Sequence, residues 1–385
     1  MKVSFFVHNL SSNPIARVAP LASAIGQKYE VEVLGFLMDE GKVYKPYRER
    51  FEYKTIRTTS RASELFPNIP RLAARANGDI MYACKPLTTS FAPALIAARL
   101  RDQKPLFLDV EDDDVKTAED SWLDFIWVDL LRGWRLGTSW KYATAVDALS
   151  GWVDGVTVAS RQLQRRYGGS LLRHGPDENI FDPSRFDEAQ VSFRKKWGLP
   201  KKKKLALFVG VPQLHKGLDT LAEALQYSEV NDWHLVLVGP RENKISQQVA
   251  ETLGARCHRL GYQPYENVPE LLAMADAVPV PQKAVPYAKH QVPAKLLDAL
   301  AMARPVIGTR VGDLPEILGH GQRGWLAEPE RPEALVTALS NIASCPSEAR
   351  RKGRAGREWF LESASSSAIF STLDAMFERE CGKWS

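Results

Sequence analysis

The 385-residue chain predicts an α/β protein built from two doubly wound, Rossmann-like domains facing a cleft. Three observations carry that prediction. Short, continuous apolar runs alternate with amphipathic helical stretches from end to end, the pattern of parallel strands covered on both faces. A length of 385 residues suits two domains better than one. Within residues 174–204, HGPDENIFDPSRFDE is rich in turn formers, and GLPKKKK leads into a fresh strand.

Taken in order, Val3–Val7 reads as a strand, ARVAPLASAIGQKY as a helix and VEVLGF as a strand. DIMYAC, helical SFAPALIAARLR and PLFLDV follow. Residues 117–150 read as helical and carry Trp122, Trp127, Trp134 and Trp140. GVTVAS is a strand and RQLQRRY a helix. The second half repeats the alternation: LALFVGV, DTLAEALQYS, HLVLVG, QQVAETLG, CHRLG, VPELLAMA, AVPVP, the helix 294–303 and PVIGT. This reading assigns residues 1–185 to a first domain and 186–364 to a second. A C-terminal helix at about 365–385 is expected to pack back on the first.

Composition narrows the function. Apolar residues make up 44% and charged residues 25%, an ordinary globular balance, and the net charge is only +5. No nucleic-acid recognition motif is present, so no nucleic-acid partner is expected. Cys84, Cys257, Cys345 and Cys381 are far apart and lack metal spacing, which fits a reducing cytoplasm. MKVSFFVHNLSS reads as a first strand rather than a signal peptide, and no apolar run is long enough to span a bilayer. The expected location is cytoplasmic, with a peripheral place on the cytoplasmic face of a membrane as an option. Residues 41–75 hold nine Lys/Arg against three Asp/Glu. Beside the tryptophan-bearing region, that charge points to an anionic membrane surface. Core packing of the tryptophans is the competing reading.

The stretch PAKLLDALAMARPVIGTRVGDLPE, Pro293 to Glu316, reads as helix, turn, buried strand and loop. Leu296, Leu297, Leu300 and Ala301 form its apolar stripe. Lys295 and Asp298 are three residues apart, so both fit one helix face near its start. A helix N-terminus after a loop favours phosphate, and a carboxylate one turn in can accept hydrogen bonds from a ribose diol. An ordinary crossover with solvated charges is the alternative.

In the first half, Glu111, Asp112, Asp113 and Asp114 follow a strand. Asp112 and Asp114 have the Asp-x-Asp pattern that holds Mn²⁺ or Mg²⁺ with a diphosphate, and clustered acids also cap helices. Ser11 and Ser12 end the first strand, where they can donate to an acceptor or cap the next helix.

Several segments together resemble the GT-B-fold glycosyltransferases of the large retaining family 4, also described as glycosyl transferases group 1. They are LLRHGPDENIFDP, FVGVPQLHKGLDTLAEAL, HLVLVG, RLGYQPYENVPELLAMADAVPVP, PAKLLDALAMARPVIGTRVGDLPEIL and GQRGWLAEPERPEAL, in the family's order. The resemblance implies a sugar transfer from a nucleotide sugar to a carbohydrate or lipid-linked acceptor, with retention, as in cell-surface polysaccharide or glycolipid synthesis. It implies Lys216 and Gly217 at the donor phosphates after Gly210, with Asp298 at the ribose. His290, Gln291, Val292 and Lys295 lie beside the donor, Ser11 and Ser12 on the acceptor side. Lys216, Glu111 and Asp112 are the candidate catalytic groups. No metal and no cofactor is expected, because family members with this fold carry the donor charge on lysine and helix N-termini.

The sequence departs from the family in four places. Asp298 and His290 stand where a pair of Glu is common, Val211 where a loop Arg is common, and Glu111-Asp112 where a His-Asp pair is common. These changes bear on donor-sugar orientation more than on nucleotide binding. A sugar-nucleotide epimerase of the same fold and a non-catalytic nucleotide-sugar-binding subunit are the alternative readings.

Overall fold

The computed structural model describes residues 1–38, 41–112, 140–186, 190–240 and 243–382. Two compact units share the chain: Met1–His174 with Ser366–Ser385, and Gly175–Ser365. The expected boundary at 185/186 falls inside the second unit, and the C-terminal helix Ser366–Cys381 lies in the first.

The first unit is a seven-stranded sheet in the order β3-β2-β1-β4-β5-β6-β7, parallel throughout. Its strands are β1 (Lys2–Val7), β2 (Glu30–Leu37), β3 (Glu52–Arg57), β4 (Ile80–Cys84), β5 (Leu106–Val110), β6 (Gly155–Val158) and β7 (Ser170–Leu171). Alternate residues of β1 feed opposite faces. Val3, Phe5 and Val7 join one apolar core with Tyr82 and Phe107, while Phe6 joins the other with Leu34 and Met81. Both faces are covered, so the central strands β1, β4 and β5 are mostly apolar on both sides. Ile369, Leu373, Met376 and Phe377 of the C-terminal helix complete the first of these cores. Asp374 anchors that helix by accepting from Lys28 at 2.8 Å and Tyr29 at 2.7 Å.

The second unit contains two three-stranded parallel sheets, β10-β9-β8 and β11-β12-β13. Here β8 is Lys204–Val209, β9 Trp233–Val238, β10 Cys257–Gly261, β11 Val278–Val280, β12 Val306–Thr309 and β13 Trp325–Ala327. The bridge Ala206↔Ala277 joins β8 to the start of β11, so the six strands run on as one layer. In both units the chain order reverses beside the first strand, between β1 and β4 and between β8 and β11. Ligand sites of doubly wound sheets open at that switch point, beyond the carboxyl ends of the strands.

One buried ion pair ties the first unit together. Arg17, from the helix Ile15–Ile25, meets Asp109 of β5 through two hydrogen bonds of 2.8 and 2.6 Å. Arg17 is 2% exposed and Asp109 is fully buried. Thr157 Oγ1 donates to the same carboxylate at 2.7 Å, and Arg17 also donates to the Leu172 carbonyl at 3.2 Å. Arg17→Met leaves a buried carboxylate without its cation. It is expected to lower unfolding free energy by about 3–5 kcal/mol in urea denaturation. An unchanged urea midpoint would show that the pair does not carry this packing.

Candidate functional site

Gly210, at φ +119, ends β8, and one tight turn, Leu214–Lys216, leads to Gly217 at φ +64. The helix Leu218–Ala224 follows. Only glycine fits at 217: a Cβ there would lie 1.8 Å from the Pro281 carbonyl oxygen. The loop after β8 is therefore pressed against the loop after β11. The Lys283 N–H donates to the His215 carbonyl at 2.8 Å, and Asn243 donates to the Pro212 carbonyl at 3.0 Å.

Two lysines meet in this corner. Lys216 Nζ donates to the Val211 carbonyl at 2.8 Å, and burial lowers its pKa. Lys295 lies in the first turn of the helix Ala294–Ala301. Its Nζ sits 3.1 Å from the centroid of the Phe208 ring and has no hydrogen-bond partner among the described residues. Burial, and then the Lys216 charge, hold Lys295 well below the usual lysine range. Burial and both lysines also lower His215. Its ring packs edge-on to Tyr287 at 5.1 Å, and its Nε2 is buried without a partner. Gln282, after β11, is 2% exposed and keeps both carboxamide atoms unpaired. Among the described residues no carboxylate pairs with either lysine. The chemistry that would balance them is an anion.

Lys295 and Asp298 diverge although they lie three apart. Lys295 turns to Phe208, while Asp298 Oδ1 accepts from the Tyr265 hydroxyl at 2.9 Å. Burial pushes Asp298 up to about 7, against the pull of that hydrogen bond. His290 Nδ1 donates to the Pro286 carbonyl at 2.9 Å, Gln291 donates to the Tyr287 hydroxyl at 3.0 Å, and the Val292 side chain is buried.

A second polar cluster belongs to the first unit, at the carboxyl ends of β1, β4 and β5. Lys85 follows β4 with φ +79, a conformation that side chains rarely hold without a reason. Its Nζ is 3.1 Å from Asp112 and 4.0 Å from Glu111. Burial and then Asp112 push Glu111 up to about 7, against Lys85 and Arg17. His174 Nδ1 contacts the Arg17 guanidinium, and its Nε2 is 3.7 Å from Glu111 Oε1. A guanidinium only donates, so Nδ1 accepts and the ring proton sits on Nε2, toward Glu111. Asp112 Oδ1, Ser11 Oγ and Thr88 Oγ1 are buried without partners among the described residues. The Ser11 N–H donates to Asn9 at 2.9 Å, and Ser12 is half-buried in the same turn.

The candidate residues thus fall into two groups, the second unit holding those from Gly210 to Asp298 and the first holding Ser11, Ser12, Glu111 and Asp112. Asp113 and Asp114 lie outside the described residues, as do Trp122, Trp127 and Trp134. Among the described residues no three His, Cys, Asp or Glu side chains assemble as a metal set. Sequence reasoning missed Lys85, His174, His215, Tyr265 and Gln282. Their shared signal is position just past a strand end.

Residues 190–359 match the family described as glycosyl transferases group 1. A GDP-mannose-dependent alpha-(1-6)-phosphatidylinositol monomannoside mannosyltransferase of Mycolicibacterium smegmatis is 28% identical over 235 residues, 57% of this chain and 60% of that protein. A D-inositol 3-phosphate glycosyltransferase of Corynebacterium urealyticum is 30% identical over 187 residues, 46% of this chain and 43% of that protein. The matches thus span 43% to 60% of these curated relatives. HepE of Anabaena, solved in complex with UDP, superposes with a TM-score of 0.74 at 18% identity, covering 98% of this chain and 100% of that one. That likeness shows the fold. The chain has the GT-B fold, and its residues 190–359 match the glycosyl transferases group 1 family.

Proposed function

We propose that this chain transfers a sugar from a nucleotide-sugar donor to an acceptor hydroxyl, with retention at the sugar carbon. The observation that carries the reading is the half-buried Lys216 beside the buried Lys295 amine, with no carboxylate paired to either among the described residues, at the switch point of the family-matched domain. As the glycosidic bond to phosphate breaks, the leaving diphosphate gains negative charge. Preorganised cations in a site shielded from water stabilise that charge. Gly217 lets the backbone approach the same phosphates. Asp298, once ionised, presents its carboxylate to the ribose diol.

Glu111, Asp112 and Lys85 serve the acceptor or the sugar hydroxyls. For the same task, Ser11 and Thr88 supply hydroxyls that have no partner among the described residues. No metal is assigned, because the lysines supply the positive charge. HepE was solved with UDP and the mycobacterial relative is GDP-mannose-dependent, so these two nucleotides are the first donors to test. The acceptor is a carbohydrate or a lipid-linked sugar. The deciding experiment screens UDP, GDP and their sugars by thermal shift, since ligands of the folded state raise its stability. Nucleotide release is then assayed with and without EDTA. Binding and EDTA-resistant transfer are expected. Epimerisation without an acceptor, or binding with no turnover, would replace transfer with one of the rival readings.

Lys216→Ala should slow turnover by roughly 30- to 1000-fold, the equivalent of about 2–4 kcal/mol of transition-state charge stabilisation. An unchanged turnover would remove Lys216 from the donor site.

Asp298 gives a pH signature. Its folded pKa of about 7 lies above the unfolded value. Its contribution to stability is therefore complete at low pH, below the unfolded pKa, and is lost as pH rises through about 7. Asp298→Asn should flatten that fall in chemical denaturation. It should also weaken nucleoside diphosphate binding by roughly 1.5–3 kcal/mol above neutrality. Equal affinity in both proteins would refute the ribose role.

The first unit also carries a basic flank. Lys42, Lys45, Arg48, Arg50, Arg57 and Arg61 are all exposed on and around the edge strand β3. Each is worth about 1 kcal/mol near an anionic surface, screened within about a Debye length. Flotation with phosphatidylglycerol vesicles should bring the protein up at low salt and release it at high salt. Failure to float at low salt would favour a soluble acceptor.

A further inference from the structure

Lys295 differs from every other charged group in the donor corner. Lys216 has the Val211 carbonyl at 2.8 Å. Lys283 is paired with Asp219 at 2.5 Å. Asp298 has the Tyr265 hydroxyl at 2.9 Å. Among the described residues the Lys295 amine has only the face of Phe208, at 3.1 Å from the ring centroid.

A ring face attracts a cation, but less than water does. An ammonium placed there has lost its hydration, gained no carboxylate and kept Lys216 as a like-charged neighbour. His215, on the same loop as Lys216, adds no negative charge. A buried lysine in such a place gives up its proton instead of paying the full cost of an isolated buried charge. Burial and Lys216 act in that direction here.

We propose that Lys295 rests as an uncharged amine and takes up a proton from solvent when a diphosphate enters the corner, so that donor binding is coupled to proton uptake. The amine gains one proton and becomes an ammonium, and the arriving anion supplies the counter-charge. This rests on the donor-site reading above and adds its regulation: affinity for the diphosphate falls as pH rises, because the proton becomes scarcer. Asp298 titrates lower, near 7, and acts oppositely. Above pH 8 it is already ionised, so uptake there comes from the amines, and Lys295→Met separates the Lys295 proton from any taken up by Lys216.

The test is calorimetry of the full chain with UDP, GDP and inorganic pyrophosphate near pH 8.5, in buffers of different ionisation enthalpy. Wild type should take up about one proton per ligand bound. Lys295→Met should take up markedly less and bind on the order of tenfold to a hundredfold more weakly. Lys295→Arg, whose guanidinium stays charged, should bind without that uptake. His215→Gln should keep it. Nucleotide binding with no proton uptake, or uptake undiminished in Lys295→Met, overturns the inference and leaves the donor reading standing. Pyrophosphate binding with uptake but no nucleotide binding supports the inference and sinks the nucleotide-sugar reading. Binding of none of the three sinks both.

Discussion

The donor corner depends on a single close approach, the α-carbon of Gly217 against the carbonyl of Pro281. Nothing larger than hydrogen fits between them, since a Cβ would come within 1.8 Å of the oxygen. That contact locks the loop after β8 to the loop after β11 across the switch point of the sheet. It sets Lys216 at the end of its tight turn and brings Lys283 to the His215 carbonyl. The helix Ala294–Ala301 then lays Lys295 over Phe208, on the strand that feeds the same loop. The result is a pair of amines with no carboxylate beside them among the described residues, at the place where a doubly wound sheet receives ligands.

Electrostatics in the two units run in opposite senses. In the second, burial drives Lys216 and Lys295 toward neutrality, so each gains from an arriving anion. In the first, burial and crowding drive Glu111 toward protonation near neutral pH. A carboxyl that titrates near 7 can give or take a proton under working conditions. Asp109 and Arg17, fully bonded to each other, fix the far side of His174 and with it the proton facing Glu111. The buried ion pair of the fold thus also holds the edge of the polar cluster.

Much of the fold was legible in the sequence because the central strands are mostly apolar on both faces. VSFFV, LALFVG and HLVLVG could be read as strands without knowing their partners. EYKTIR was not read as a strand, since β3 is an edge strand with its residues half-buried or exposed. At the site, Lys216, Gly217 and Asp298 were legible from local pattern and resemblance. That Lys295 meets Phe208 while Asp298 meets Tyr265 was not, because helix spacing says which residues share a face but not what each meets. Lys85 and His174 were missed for the same reason: they meet Glu111 and Asp112 from other strands, and only the sheet order brings those strands side by side. Tyr265 and Gln282 had no motif of their own.

The central claim is that Lys216 acts on the diphosphate of a nucleotide. A thermodynamic cycle tests it most directly: a nucleoside and its diphosphate, each titrated into wild type and Lys216→Ala. The account predicts that removing the diphosphate costs wild type far more affinity than it costs the variant, leaving a coupling energy on the order of 1.5–3 kcal/mol. Additive losses, with no coupling between the lysine and the phosphates, would contradict it.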